Sequence, residues 1–157
     1  MPEGAVQNVI TKASDWHAEI SVPVAELRRT GFVRGIWEFL SWAARDRGAI
    51  SAVAEFASPR AAQSEVATAI SLARSTAAAR KIAFRSFAVA GIPRAQAFRE
   101  LPLGTVYVDV QFADGPYWYL VAESFPTAGG LTVSEEEAGG IAAARLLYLR
   151  VHGHTRG

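Results

Sequence analysis

Asp109 is the residue whose type and position are best suited to chemistry. It lies in the run from Val106 to Phe112, where apolar side chains alternate with Tyr107, Asp109 and Gln111. A carboxylate among the apolar side chains of a strand is expected to lose hydration, which raises its pKa and suits it to general acid or base work. The alternative is a solvent-facing acid that discourages strand edges from pairing with other chains. The sequence leaves both interpretations open.

The remaining candidates for chemistry are few. The histidines are His17, His152 and His154. The spacing of the last two resembles a metal-binding pair, but His152 directly precedes the predicted tail 153–157, His154 lies in it, and no carboxylate is close to them in sequence. His17 is either a base or a packed histidine. The chain contains no cysteine, no nucleophile elbow and no glycine-rich phosphate loop. We therefore predict no catalytic residue, no metal site and no cofactor.

A β-hairpin holds Asp109. Two runs rich in Val, Tyr, Phe and Trp flank the turn formers Ala113-Asp114-Gly115-Pro116. Because Pro116 has no N–H, a two-residue Asp-Gly loop would lose a ladder hydrogen bond, and a four-residue loop that places Phe112 opposite Tyr117 is favoured. An odd-length loop would exchange the two faces of the second strand.

The four-residue register divides the hairpin side chains into two faces. One face is apolar: Val106, Val108, Val110, Phe112, Tyr117, Tyr119 and Val121. The other, which we call the aromatic face, carries Tyr107, Asp109, Gln111, Trp118 and Leu120. Aromatic side chains with polar tips suit ligand pockets and protein interfaces, so the aromatic face is the predicted ligand or partner surface. Its alternative role is core.

The pattern around the hairpin predicts an α+β fold. Strand patterns cover Phe32 to Trp42 and Ile50 to Phe56, and a helix follows with Ser58 as N-cap and Pro59 at its first position. A shift of 56 residues aligns 33–57 with 89–113, so the chain is either an internal duplication or two similar β-β-α units. We predict a two-layer antiparallel sheet with two main helices on one face, which leaves the aromatic face open.

The predicted boundaries describe one α+β domain over 1–157. Residues 1–31 form a poorly defined N-terminal segment, 32–80 the first β-β-α unit, 81–152 the second, and 153–157 a tail. Ser134 and Glu137 are spaced as a capping box for the second helix. Gly139-Gly140 near its start indicates either a ligand close to the backbone or tight contact between the helix and the sheet.

Composition excludes several classes of protein. The formal charge is +1 and no stripe of Lys and Arg is present, so a nucleic-acid partner is not predicted. No apolar run approaches the ~20 residues of a membrane span. The compartment stays open between the cytoplasm and export with a leader that is absent from this chain.

A family resemblance rests on loose motifs over roughly residues 31–124. They are the Gly31-Phe32 start, the strand end Glu55-Phe56-Ala57-Ser58, a helix beginning at Pro59, and Gly91-Ile92-Pro93 before the hairpin. This pattern resembles small α+β domains of actinobacterial extracytoplasmic lipoproteins and sensor-like proteins. The cysteines common in such domains are missing here. The resemblance implies a binding or accessory module more than an enzyme.

Three functions remain open on these grounds. The favoured one is a non-enzymatic binding or accessory domain whose aromatic face binds a partner protein, a second copy of the chain, or an apolar small molecule. The second is a small enzyme with a sparse acid/base site at Asp109 or His17. The third is a structural subunit of a larger assembly, which would have a dry interface and no pocket.

Overall fold

The computed structural model of the chain describes residues 4–20, 22–42, 47–127 and 132–154. The strands are β1 Gly4–Ile10, β2 Phe32–Trp42, β3 Arg47–Phe56, β4 Ala83–Ala88, β5 Gln96–Leu101, β6 Thr105–Asp114 and β7 Tyr117–Pro126. The helices are α1 Ala13–Ile20, α2 Val24–Thr30, α3 Pro59–Arg80 and α4 Val133–His154. None of the described helices is both long and apolar enough to cross a bilayer.

The strands form one antiparallel sheet in the order β1-β2-β3-β7-β6-β5-β4. Strand β7 joins the two halves of the chain because it pairs with β6 on one side and with β3 on the other. The predicted α+β class and antiparallel sheet are confirmed. The predicted second unit is larger than two strands, since β4, β5, β6 and β7 all precede α4. Whether the two units arose by duplication stays a prediction.

The N-terminal segment is ordered around one edge of the sheet. Strand β1 lies at the edge of the sheet, and α2 ends at Gly31, whose φ of 73° provides the left-handed helix cap. Helix α1, which follows β1, continues to Ile20. Trp16 of α1 is fully buried and stacks on Phe32, which ties this segment to the core.

The two long helices lie on opposite faces of the sheet rather than together on one. Helix α3 belongs to a core cluster with Trp118 and Leu120 through its residues Ala62 and Val66. Helix α4 packs on the other face; its Ala144 shares a second core cluster with Val106, Val108, Val110, Phe112, Tyr119 and Val121. Both faces of the central hairpin are apolar, so each requires its own cover. The aromatic face is therefore not an open surface.

The hairpin turn is tighter than predicted. Asp114 pairs with Tyr117 and Phe112 pairs with Tyr119, so the loop consists of Gly115 and Pro116 alone. Gly115 has a φ of 57°, and proline holds φ near −65°, a combination that fits a type II′ turn. The missing N–H of Pro116 costs no ladder bond at this loop position. The predicted division of side chains between the faces is nevertheless confirmed, since the two loop lengths differ by an even number.

The helix starts show one correct cap and one displaced cap. Ser58 accepts a hydrogen bond from the Ala61 N–H at 3.2 Å, as predicted for the start of α3. The capping box of α4 lies two residues before the predicted pair: the Thr132 N–H donates to Glu135 Oε2 at 2.7 Å, and the Glu135 N–H donates to Thr132 Oγ1 at 3.3 Å. Thr132–Glu135 and Ser134–Glu137 both have the three-residue spacing of a capping box, and the helix begins at the earlier pair.

Gly139 and Gly140 of α4 play different roles. A Cβ on Gly140 would lie 3.0 Å from Val108 Cγ1, so this glycine lets the helix approach β6 closely. A Cβ on Gly139 would meet only Glu123 Oε2, at 3.8 Å, which is ordinary contact. Close contact between helix and sheet therefore explains Gly140.

Replacing Gly139 with Ala is expected to raise the free energy of unfolding by about 0.5–1 kcal/mol, since Ala loses less backbone freedom in a helix. Gly140→Leu is the contrasting variant. The leucine side chain would have no space against Val108, so this substitution should lower the free energy of unfolding. Urea denaturation measures both. Equal effects of the two substitutions would contradict the assigned helix orientation.

Candidate functional site

A cavity of about 310 Å³ lies between the aromatic face of the sheet and α3. Strands β2, β3, β5, β6 and β7 form its floor, α3 forms its roof, and Val22 from the α1–α2 connection closes one side. The residues that line it are Val22, Trp37, Ile50, Ala69, Leu72, Ala73, Thr76, Phe98, Glu100, Tyr107, Val108, Asp109, Gln111, Trp118, Leu120 and Ala122.

Small side chains on α3 leave this space open. The first half of the helix contributes Ala62 and Val66, both fully buried, to the core cluster that contains Trp118. Further along the same helix, Ala69, Ala73 and Thr76 line the cavity at helical spacing. Because these side chains are short, they do not reach the sheet as larger residues would. The first half of α3 therefore packs closely on the sheet, and the cavity lies between the sheet and the second half of the helix.

The structure brings all five residues of the aromatic face to this one cavity. Tyr107, Asp109, Gln111, Trp118 and Leu120 all line it. Their exposure differs: Trp118 is 1% exposed, whereas Tyr107 is 45% exposed and lies at the rim. Trp118 therefore belongs to the core as well as to the cavity wall, and a Trp118→Ser variant would damage the fold rather than report on the site alone.

A hydrogen-bonded relay joins three of these side chains. The Trp118 indole N–H donates to Gln111 Oε1 at 3.0 Å, and Gln111 Nε2 donates to Asp109 Oδ1 at 2.9 Å. Since an indole can only donate, the amide oxygen of Gln111 must face Trp118 and its nitrogen must face Asp109. Asp109 Oδ1 is thus an acceptor in either protonation state, and the proton of the neutral acid resides on Oδ2.

Two carboxyl groups, those of Asp109 and Glu100, line the cavity. Burial raises the pKa of Asp109 to about 7, opposed by the hydrogen bond from Gln111 and reinforced by the negative charge of Glu100. Burial also raises the pKa of Glu100, and the charge of Arg80 opposes that shift. Among the described residues that line the cavity, no side chain is Lys, Arg or His. Asp109 therefore titrates near neutral pH, and no basic side chain lies beside it in the cavity wall.

Sequence reasoning missed the lining residues outside the hairpin. Phe98 pairs with Asp109, and Glu100 pairs with Tyr107, across the β5–β6 ladder. Cross-strand partners share a face, so a correct register for β5 would have placed both residues beside Asp109. Trp37 and the α3 residues carry no local signal, because their positions depend on strand order and on which face the helix covers.

His17 and His152 lie outside the cavity, and the side chain of His154 is not among the described residues. His17 Nδ1 is 2.7 Å from the Val22 carbonyl oxygen, and His17 is not among the residues that line the cavity. His152 Nδ1 is 3.1 Å from Asp114 Oδ2, and its ring stacks on Tyr148 with centroids 5.0 Å apart. Within the described ranges, no group of three or more His, Cys, Asp or Glu side chains is arranged to hold a metal ion.

Comparison with known proteins gives weak structural resemblance and no match in sequence. No protein-family model matches the chain, and no curated protein is significantly similar to it. Among solved structures, it is similar to the extracellular domain of PknH from Mycobacterium tuberculosis, with 12% sequence identity and a TM-score of 0.47. The match covers 91% of this chain and 80% of that chain. The case for a site therefore depends on the geometry of the cavity.

Proposed function

We propose that the chain is a non-enzymatic binding domain whose cavity takes an apolar small molecule. The observation that carries this proposal is the cavity itself, about 310 Å³ in volume and lined by the aromatic face on one side and α3 on the other. Ligand pockets typically begin at about 300 Å³ and combine apolar walls with a few fixed polar groups. The Trp118–Gln111–Asp109 relay provides such polar groups in a fixed geometry.

A small molecule suits this site better than a protein partner. Helix α3 covers the aromatic face, so a second chain has no flat sheet surface on which to dock there. Tyr107 is the one member of the aromatic face that is more than a third exposed. A purely structural subunit would not need a cavity of this size, since close packing of the same elements would be more stable.

Filling the cavity is expected to abolish binding of a neutral apolar probe. Ala73 lines the cavity from α3, and a phenyl ring at this position would occupy much of the space. We expect 2-(1-naphthyl)ethanol to bind the unmodified chain with a micromolar to millimolar dissociation constant, which is usual for a ligand of about a dozen heavy atoms. The Ala73→Phe variant should bind it at least about tenfold more weakly. Isothermal titration calorimetry measures both constants.

The matched control is Ala78→Phe, which adds the same ring at an exposed position of the same helix. It should bind the probe as the unmodified chain does. Equal loss in both variants would indicate a general effect on α3, and undiminished binding in Ala73→Phe would contradict the cavity as the site.

A second candidate function has one specific observation in its favour. Asp109 lies in the cavity, and its pKa of about 7 suits a general acid or base at neutral pH. An enzyme would convert its ligand, and Asp109→Asn would stop turnover without preventing binding. A binding domain would release the ligand chemically unchanged. Mass spectrometry of the ligand recovered after prolonged incubation distinguishes the two.

A further inference from the structure

The cavity wall carries two acidic side chains and no basic one. Asp109 and Glu100 are diagonal neighbours on one face of the sheet, because Tyr107 lies two residues before Asp109 on β6 and pairs with Glu100 of β5. The α3 residues of the wall are Ala69, Leu72, Ala73 and Thr76, none of which is charged. The nearest influence of opposite sign is Arg80, farther along α3, which acts on Glu100. The ionisable carboxyl groups of the wall therefore face a ligand with no basic side chain among the residues that line the cavity.

One oxygen of Asp109 is available to a ligand. The relay occupies Oδ1, which accepts from Gln111 Nε2 at 2.9 Å. Within the described part of the chain, no donor is bonded to Oδ2. The relay restrains the carboxyl group through Oδ1, and Oδ2 remains the free acceptor of a residue that lines the cavity. Such an oxygen can bind a charged donor without reorganisation of the wall.

We infer that the ligand of this cavity is an apolar amine whose ammonium group binds Asp109 Oδ2. This assignment rests on the proposed binding function and names the chemical class of the ligand. The ammonium group donates to Oδ2 beside Glu100, and the apolar body lies against Trp37, Trp118 and the short side chains of α3. Aromatic rings also attract a cation through their π faces, which adds to the preference.

Charge explains why an amine is preferred to a neutral or anionic molecule of the same shape. An ionised Asp109 in this apolar wall lacks a counterion, and an ammonium group supplies one. A neutral ligand leaves that charge uncompensated, or leaves Asp109 protonated. An anion is repelled by both carboxylates. The titratable groups that face Asp109 are Glu100 from β5 and Tyr107 from β6; the lining residues of α3 provide none.

Three probes with one apolar body test the inference. They are 2-(1-naphthyl)ethylamine, 2-(1-naphthyl)ethanol and 1-naphthaleneacetic acid, titrated calorimetrically into the full chain at pH 8. We expect the amine to bind at least about tenfold more tightly than the alcohol, and the acid at least about tenfold more weakly. Equal affinities of amine and alcohol would overturn the amine assignment and leave the proposed function standing. Failure of all three to bind would overturn both.

Protonation of Asp109 gives an independent readout. Because burial raises its pKa to about 7, the ionised fraction increases from about a tenth at pH 6 to about nine tenths at pH 8. An alkylamine stays protonated throughout this range. The affinity for the amine should therefore increase about tenfold between pH 6 and pH 8, while that for the alcohol changes little. A pH-independent amine affinity would contradict the role of Asp109.

The Asp109→Asn variant tests the residue directly. Asn keeps the shape and the acceptor for Gln111 but cannot ionise, so the preference for amine over alcohol and its pH dependence should both disappear. Binding of the alcohol should persist, which shows that the variant is folded. Glu55→Gln is the control, because Glu55 pairs with Arg34 and does not line the cavity. An unchanged amine preference in Asp109→Asn would overturn the inference.

Discussion

Replacing Glu65 with Met is expected to stabilise the chain by about 3 kcal/mol above pH 7 and far less at pH 5. Glu65 lies in α3 with no exposed surface, and neither of its carboxylate oxygens has a hydrogen-bond partner. Burial raises its pKa to about 7, with a further upward contribution from Glu26 and an opposing one from Arg29. An isolated buried carboxylate is among the most costly groups a core can hold.

The direction of the pH dependence follows from the raised pKa. In the unfolded chain Glu65 ionises near pH 4.5, whereas in the folded chain it ionises near pH 7. Below pH 4.5 it is protonated in both states and costs no ionisation energy. The penalty grows from pH 4.5 to pH 7 and is complete above that, at about 1.4 kcal/mol per pKa unit. Methionine has similar length and high helix propensity, and it removes the penalty.

Urea denaturation of both proteins at pH 5 and pH 8 measures this effect. The difference in unfolding free energy between variant and parent should increase by about 2.5 kcal/mol between the two pH values, since part of the penalty is already present at pH 5. Taking that difference cancels the contributions of other groups such as Asp109. Glu65→Gln is the control: it should show the same pH-dependent gain but remain less stable than Met, since it buries an unpartnered amide. A pH-independent difference would mean that Glu65 is solvated or paired.

Replacing Gly35 with Ala is expected to destabilise the chain by about 2–4 kcal/mol. Gly35 lies in β2 directly against the buried Trp16, and an added Cβ would be 2.4 Å from Trp16 Cζ3 and 2.8 Å from Cη2. Real atoms do not approach this closely, and an indole held between Phe32 and Trp118 has no room to move away. The expected cost is that of a severely overpacked core.

A double-mutant cycle with Trp16→Phe isolates that clash. The smaller ring frees part of the space, so Gly35→Ala should cost at least about 1 kcal/mol less in the Trp16→Phe background than in the parent. Chemical denaturation of the four proteins supplies the cycle. Additive effects would show that Gly35 is required for another reason, such as strand geometry, and not for the fit of Trp16.

The sequence predicts those parts of the fold that depend on local pattern. Alternation along β6 and β7 places Asp109, Gln111 and Trp118 on one face. This assignment is correct although the predicted loop length is wrong, because a four-residue and a two-residue loop place the second strand in the same facing. The Ser58 cap follows from backbone geometry at a single position. Such features need no knowledge of the remaining chain.

The cavity could not be predicted, because it depends on long-range arrangement. The sequence predicts both long helices on the face opposite the aromatic face, which would leave the aromatic face open. In the structure α3 covers the aromatic face and makes it the floor of a cavity. Glu100 and Trp37 join the cavity only through the pairing of β5 with β6 and of β2 with β3. The burial of Glu65 could not be predicted from the sequence either, since a Glu within a helix is ordinarily solvated.

The most direct test of ligand binding in the cavity is an NMR titration of the tryptophan indole N–H signals with 2-(1-naphthyl)ethylamine. Trp37 and Trp118 line the cavity, so their signals should shift saturably and yield one dissociation constant that agrees with calorimetry. In Ala73→Phe the same additions should leave both signals in place. Shifts that persist in that variant, or unmoved Trp37 and Trp118 signals while the amine binds the parent chain, would place the ligand outside the cavity and contradict the proposed site.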